Sequence, residues 1–361
     1  MDASTTRRFP LIARARPACT PLPERITSLS TLADKATTGD LATASAVFNL
    51  AALIASDCGD HDLAHHWCHR LAHATLSRPH PGRNALEPLV NLARLRIRDG
   101  DGATAWTILE TLYQAVADHA TVTIDGITIA TTALTASATE HAELRQWIWT
   151  VLLGTGAHAL ASANRWDDAR HRLEQHHGIG HRMLDGRQIA VISHTLARRH
   201  HHAADLLRTT MPGEPWENAV TTVLNLLCTT TGAHDGPPYL PSRHRAPGTE
   251  VFWTRHDLSV IDALGIDHPT ATAIANNLLD RTNDGYAARD ILAHPGCHHL
   301  SGNRQRHRLL KIVNDCGLDR GHIPTTGLNR INRLLDATES AIRSPGGPIG
   351  LRSSLTAVTQ P

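Results

Sequence analysis

The sequence predicts an all-α chain, an α-solenoid of antiparallel helix pairs carrying one small β-hairpin. Three features point there. Apolar residues recur at helical spacing through most of the chain. Gly-Asp turns interrupt these runs at short intervals, and two of the resulting hairpins repeat a residue pattern 41–42 positions apart.

Residues 1–40, rich in Thr, Ser, Pro and Arg, read as a flexible lead-in with a short helix near Leu29–Ala36. A helical repeat domain is expected over 41–233. Val47, Leu50 and Ile54 share one helical face, and Leu86, Leu89, Val90, Ala93 and Ile97 follow the spacing of a half-buried helix. Gly59-Asp60 and Gly100-Asp101 separate these helices from partners bearing Trp67 and Trp106, and such short connections make neighbours antiparallel. Near 122–129, Val122-Thr123-Ile124 and Ile127-Thr128-Ile129 alternate on either side of Asp125-Gly126, the signal of a two-residue hairpin. It is expected to project between the second and third repeats. Prolines 237, 238, 241 and 247 predict a loop or lid over 234–248. A C-terminal helical segment is expected over 249–344, and the Pro/Gly/Ser-bearing residues 345–361 read as a flexible tail.

The repeat can be written out. Asn49-Leu50-Ala51-Ala52-Leu53, then Gly59-Asp60 and Ala64, matches Asn91-Leu92-Ala93-Arg94-Leu95, then Gly100-Asp101 and Ala105. Fainter copies of the turn and second helix run from Asn164 to Ala169, Arg199 to Ala204 and Asn283 to Ala288. The step from Ala169 to Ala204 is 35 residues, close to the tetratricopeptide period. On these residues the chain resembles a divergent tetratricopeptide-like helical repeat protein of the kind common in actinobacteria, and its arginine-for-lysine bias suits a GC-rich genome. It departs from the family pattern in lacking the first-helix Trp, the Gly–Tyr pair and a closing proline. The resemblance implies a concave groove lined by first helices, in which asparagines and basic residues grip an extended peptide. It carries that role onto Asn49, Asn91 and Arg94, and more loosely onto Asn225. Trp147 and Trp149 are expected to flank the same groove.

A net charge of +1 gives no field that announces nucleic acid. The basic stretch Arg304, Arg306, Arg308 and Lys311, with Arg330 and Arg333, reads first as the wet side of an amphipathic helix, so direct nucleic-acid contact is not expected. No run reaches the ~18 apolar residues of a membrane span. Six scattered cysteines do not form a secreted disulfide framework, which makes the cytoplasm the expected address.

Among 26 histidines, His61, His65, His69 and His73 recur every fourth residue, with Cys68 beside them. Pairs at i and i+4 can chelate a transition metal, yet a straight ladder supplies pairs rather than a tetrahedron. His294, Cys297, His298 and His299 form a second cluster of zinc-type ligands without a matching half. Phosphate loops, nucleophile elbows and dinucleotide fingerprints are absent from the sequence. The expected function is therefore non-catalytic and possible without a cofactor: a regulatory scaffold or sensor for a peptide, a protein partner or a small metabolite. An enzyme or metalloprotein built on the His/Cys clusters is the alternative, and the sensor half of a transcriptional regulator is another.

Overall fold

The computed structural model describes residues 1–36, 41–228 and 246–344. Its helices follow one another as packed neighbours. The first pairs are α3 (Leu41–Asp57) with α4 (His61–Leu76), and α5 (Arg83–Arg98) with α6 (Gly102–Ala117). A third pair joins α7 (Ala138–Val151) and α8 (Ala157–Ser162) to α9 (Trp166–Gln175). A fourth joins α10 (Asp185–Leu196) to α11 (His200–Arg208). First helices touch first helices (α3 with α5, α5 with α8, α8 with α10) and form the inner row. All-α architecture with solenoid-like packing is thus what the chain adopts. Among the described residues no helix is long and apolar enough to cross a membrane.

One turn repeats. Gly59 lies at φ +84° and Gly100 at φ +81°. At each site the next amide reaches back to the carbonyl five residues earlier, Asp60 N–H to Ala55 O at 2.9 Å and Asp101 N–H to Arg96 O at 2.8 Å. This is the Schellman ending, in which a left-handed residue satisfies helix-end carbonyls. Asp60 and Asp101 then cap the following helices, accepting from Leu63 N–H and Thr104 N–H. Asn164 (φ +59°) and Arg198 (φ +57°) occupy the left-handed position in the next two turns. The 64-residue step to the third pair is filled by the hairpin and by an i→i+5 turn, Leu152–Gly156, that joins α7 to α8.

The hairpin, β1 (Thr121–Ile124) and β2 (Ile127–Ala130), pairs Val122 with Ile129 and Ile124 with Ile127. Asp125 and Gly126 both take positive φ, as the two-residue turn requires. It lies against α4 and α6 with Ile124, Ile127 and Ile129 buried, rather than projecting.

The N-terminal segment departs from expectation. Residues 1–36 are packed instead of loose: Phe9 and Leu11 are buried, residues 9–20 run without regular structure along the inner row, and α2 (Leu22–Ala36) packs on α3. The apolar spacing of Phe9, Leu11, Leu22, Ile26 and Leu29 supplies the driving force. The C-terminal segment closes the array. After α12 (Pro215–Cys228) and α13 (Glu250–Leu264), a smaller core forms among α13, α14 (Pro269–Arg281), α15 (Gly285–Ala293), α16 (Pro295–Leu300) and α17 (Asn303–Asp315). Then α18 (Thr325–Arg343) returns onto α2, α3 and α4. Buried Asp57 holds this closure. It accepts from Arg25 of α2, from Arg98 of α5 at 2.8 Å and from the Tyr286 hydroxyl of α15. Most of the expected loop over 234–248 and the tail 345–361 lie outside the described residues.

Candidate functional site

The inner row and its covering segments line a half-open cavity of about 540 Å³. Asn49 and Ser56 of α3 and Asn91, Arg94 and Arg98 of α5 form one wall. Thr155 and His158 lie on a second wall, Phe252 and Arg255 of α13 on a third, and residues 10–16 run across the space between them.

The wall carries a relay. Glu87 meets the Asn49 amide. Asn91 Nδ2 donates to Asn49 Oδ1 at 2.7 Å, and Arg94 donates to Asn91 Oδ1 at 2.9 Å. The two asparagines are equivalent by repeat, which is why their amides meet on adjacent helices. Three expected groove residues therefore share one surface. Their amides pair with one another, however, and do not present a row of donors and acceptors to a peptide. The relay orients Arg94 toward the cavity.

Capture of peptide backbone does occur, on a residue that sequence reasoning missed. Gln188 of α10 accepts from Leu11 N–H at 2.7 Å and donates to Leu11 O at 2.8 Å and Met183 O at 3.1 Å. Arg16 N–H donates to Gly248 O, and Cys19 N–H to Asp284 Oδ2. The segment thus lies on the inner surface as a bound peptide would.

The electrostatics are lopsided. Arg14, Arg16, Arg94, Arg98 and Arg255 line the cavity, and Asp185 is the one carboxylate that does so among the described residues. Burial raises the Asp185 carboxyl above its ordinary range, and Arg14 at 3.4 Å only partly opposes this. Arg94 is exposed, yet partial desolvation lowers it, which Glu87 counters and Arg14 reinforces. Burial, then Arg255, Arg16 and Arg14, push His158 down to about 4, so its imidazole is neutral near pH 7. Gly154, in the i→i+5 turn, leaves room for Arg14: a Cβ there would stand 3.2 Å from the guanidinium.

The other expected residues lie elsewhere. Trp149 lines a second cavity of about 520 Å³ with Tyr113, His141 and Arg145, and its indole donates to His176 O. It does not line the central cavity. Asn225 on α12 donates back to Thr221 O and does not line the central cavity. In the histidine ladder, His61 pairs with Asp99 at 2.8 Å and His69 with Asp125 at 3.0 Å, while His65 lies 4.0 Å from both acids. The ladder thus docks the hairpin turn onto α4. Cys297 is buried in the smaller core and His298 is exposed. Among the described residues no group of three or more His, Cys, Asp or Glu side chains is placed to hold a metal. The basic C-terminal stretch is partly spent on structure, since Arg308 donates to Leu279 O and Thr282 O at the end of α14 and Lys311 pairs with Asp315.

The sequence carried one usable sign of the missed residues. Ala13-Arg14-Ala15-Arg16 alternates with period two, the pattern of an extended segment with one charged side. Arg98, His158, Arg255 and Gln188 had no local sign. Compared with protein-family profiles, curated proteins and solved structures, the chain matches none.

Proposed function

We propose that the chain is a non-catalytic binding protein, a helical-array sensor or scaffold that captures its ligand in the central cavity. The observation that carries this reading is the Asn49–Asn91–Arg94 relay, which commits two half-buried amides to holding one guanidinium at the wall of a half-open cavity. A cavity of about 540 Å³ suits a metabolite or a peptide end, within the ~300–1,000 Å³ of ordinary ligand sites. We read the array as a divergent relative of the tetratricopeptide-type repeats. Support comes from the turn that recurs at Gly59, Gly100, Asn164 and Arg198. A cytoplasmic address belongs to the same reading and rests on the scattered cysteines.

The test is a thermal-shift screen of the full chain against nucleotides, sugar phosphates, carboxylic acids, amino acids and short peptides. A ligand present at about a hundred times its Kd stabilises by about 2.7 kcal/mol, which raises Tm by a few degrees. Arg94→Ala should abolish that shift, and Trp149→Ala at the second cavity should leave it intact. A binder indifferent to Arg94 and Asn91 would remove the central cavity from consideration.

A further inference from the structure

The cavity collects positive charge from three separate parts of the chain: Arg14 and Arg16 from the N-terminal segment, Arg94 from α5 and Arg255 from α13. Their internal pairing is uneven. Arg255 is paired with Asp290 at 2.6 Å, outside the set of lining residues. Arg14 reaches Asp185 only at 3.4 Å, and Arg94 spends an N–H on a neutral amide, with Glu87 as its nearby opposing charge. Among the described residues the exposed Arg16 side chain meets no hydrogen-bonding or ionic partner at all, while partial desolvation and then the fields of Arg255, Arg14 and Arg94 act against its charge. Like charges converging on one half-open cavity repel one another, and a counter-anion bound between them relieves that repulsion. Guanidinium forks from different elements, facing one space, match oxygens spread over a multiply charged ligand.

We infer that the cavity takes a small, multiply charged oxyanion, of the polyphosphate or polycarboxylate class, gripped by Arg14, Arg16 and Arg94. This rests on the cavity being the binding site. Beside the grip, His158 offers a neutral imidazole and Thr155 a hydroxyl as further hydrogen-bonding groups.

The experiment is calorimetric titration of the full chain at low salt with tripolyphosphate, with citrate, and with gluconate as a monoanion of comparable size. One or both polyanions should bind, with gluconate at least about 100-fold weaker, since each charge-assisted hydrogen bond that a monoanion cannot make weakens binding by about a factor of ten or more. The arm that binds tells phosphate from carboxylate. Arg16→Gln and Arg94→Gln should each weaken binding about 10-fold or more, and Arg145→Gln at the second cavity should not. Arg16→Gln should leave Tm of the unliganded chain unchanged or raised, because it relieves repulsion and breaks no ion pair. A fall in Tm for that variant would make Arg16 structural and overturn the proposal. So would failure of both polyanions to bind below about 1 mM, or binding insensitive to Arg16 and Arg94. A neutral ligand found to need Arg94 would leave the binding function standing and remove only the anion assignment.

Discussion

Gln188 holds the main chain of Leu11 by both its polar groups, accepting from the N–H at 2.7 Å and donating to the carbonyl at 2.8 Å, all of it buried. One side chain thus does for residues 9–16 what a strand neighbour does in a sheet. Gln188→Leu keeps the volume and strands the N–H and C=O of Leu11. Each orphaned buried group costs about 1–3 kcal/mol, so urea unfolding should register a loss of about 3 kcal/mol. Hydrogen exchange at the Leu11 amide should accelerate in step. An amide as protected as before would mean that packing of Phe9 and Leu11 alone fixes the segment.

The closing of the array concentrates on Asp57, whose side chain is 1% exposed between two guanidiniums. Asp57→Asn removes the charge and leaves Arg25, also nearly buried, without its anion. Breaking one side of a buried pair typically costs about 3–5 kcal/mol. Tyr286→Phe, which deletes one hydroxyl donor to the same carboxylate, should cost nearer 1 kcal/mol. Equal costs for the two, by denaturant titration, would contradict the central place given to the charge.

What could be read from the sequence was local. Gly59-Asp60 and Gly100-Asp101 announce their turns because a left-handed residue followed by a capping acid is dictated within a few positions. Asp125-Gly126 fixes the hairpin register for the same reason. Asn164 and Arg198 serve as left-handed residues without being glycine, which blurred the later repeats. The return of α18 onto α2–α4 and the path of residues 9–20 depend on packing between residues hundreds of positions apart, with no periodicity to reveal it. At the site, the equivalence of Asn49 and Asn91 was legible through the repeat. That they would satisfy each other was not, because it depends on the distance between neighbouring helices.

Arg198 at φ +57° carries a strain that glycine would lack. The left-handed region costs an L-residue roughly 1–2 kcal/mol, partly offset by glycine's greater unfolded-state freedom. Arg198→Gly should therefore stabilise the chain, by up to about 1 kcal/mol. The opposite change at the equivalent turn, Gly100→Ala at φ +81° with open space around it, should destabilise by about 1 kcal/mol. Thermal unfolding of the two variants should move Tm in opposite directions. Movement in the same direction would argue that the two turns are not equivalent.

His294 couples stability to acid. Its Nδ1 accepts from Cys297 N–H at 3.2 Å, capping α16, while Nε2 lies 2.9 Å from Asp262. An accepting Nδ1 must be unprotonated, so the imidazole is neutral and donates through Nε2. Burial first, then the neighbouring Arg8, push its pKa down to about 4 from 6.5. The folded chain therefore binds fewer protons here than the unfolded chain between these values. The histidine's contribution is complete above pH 6.5 and is lost as pH falls toward 4. At about 1.36 kcal/mol per unit, the loss across that window is about 3 kcal/mol. His294→Asn retains a side-chain oxygen that can cap α16 and removes the titration. Its stability measured by urea at pH 7 and at pH 4.5 should differ by about 2–3 kcal/mol less than in the parent chain. If the parent and the variant lose stability equally on acidification, His294 takes up its proton as readily in the fold as in the unfolded chain, and the capping geometry at Cys297 must rearrange to allow it.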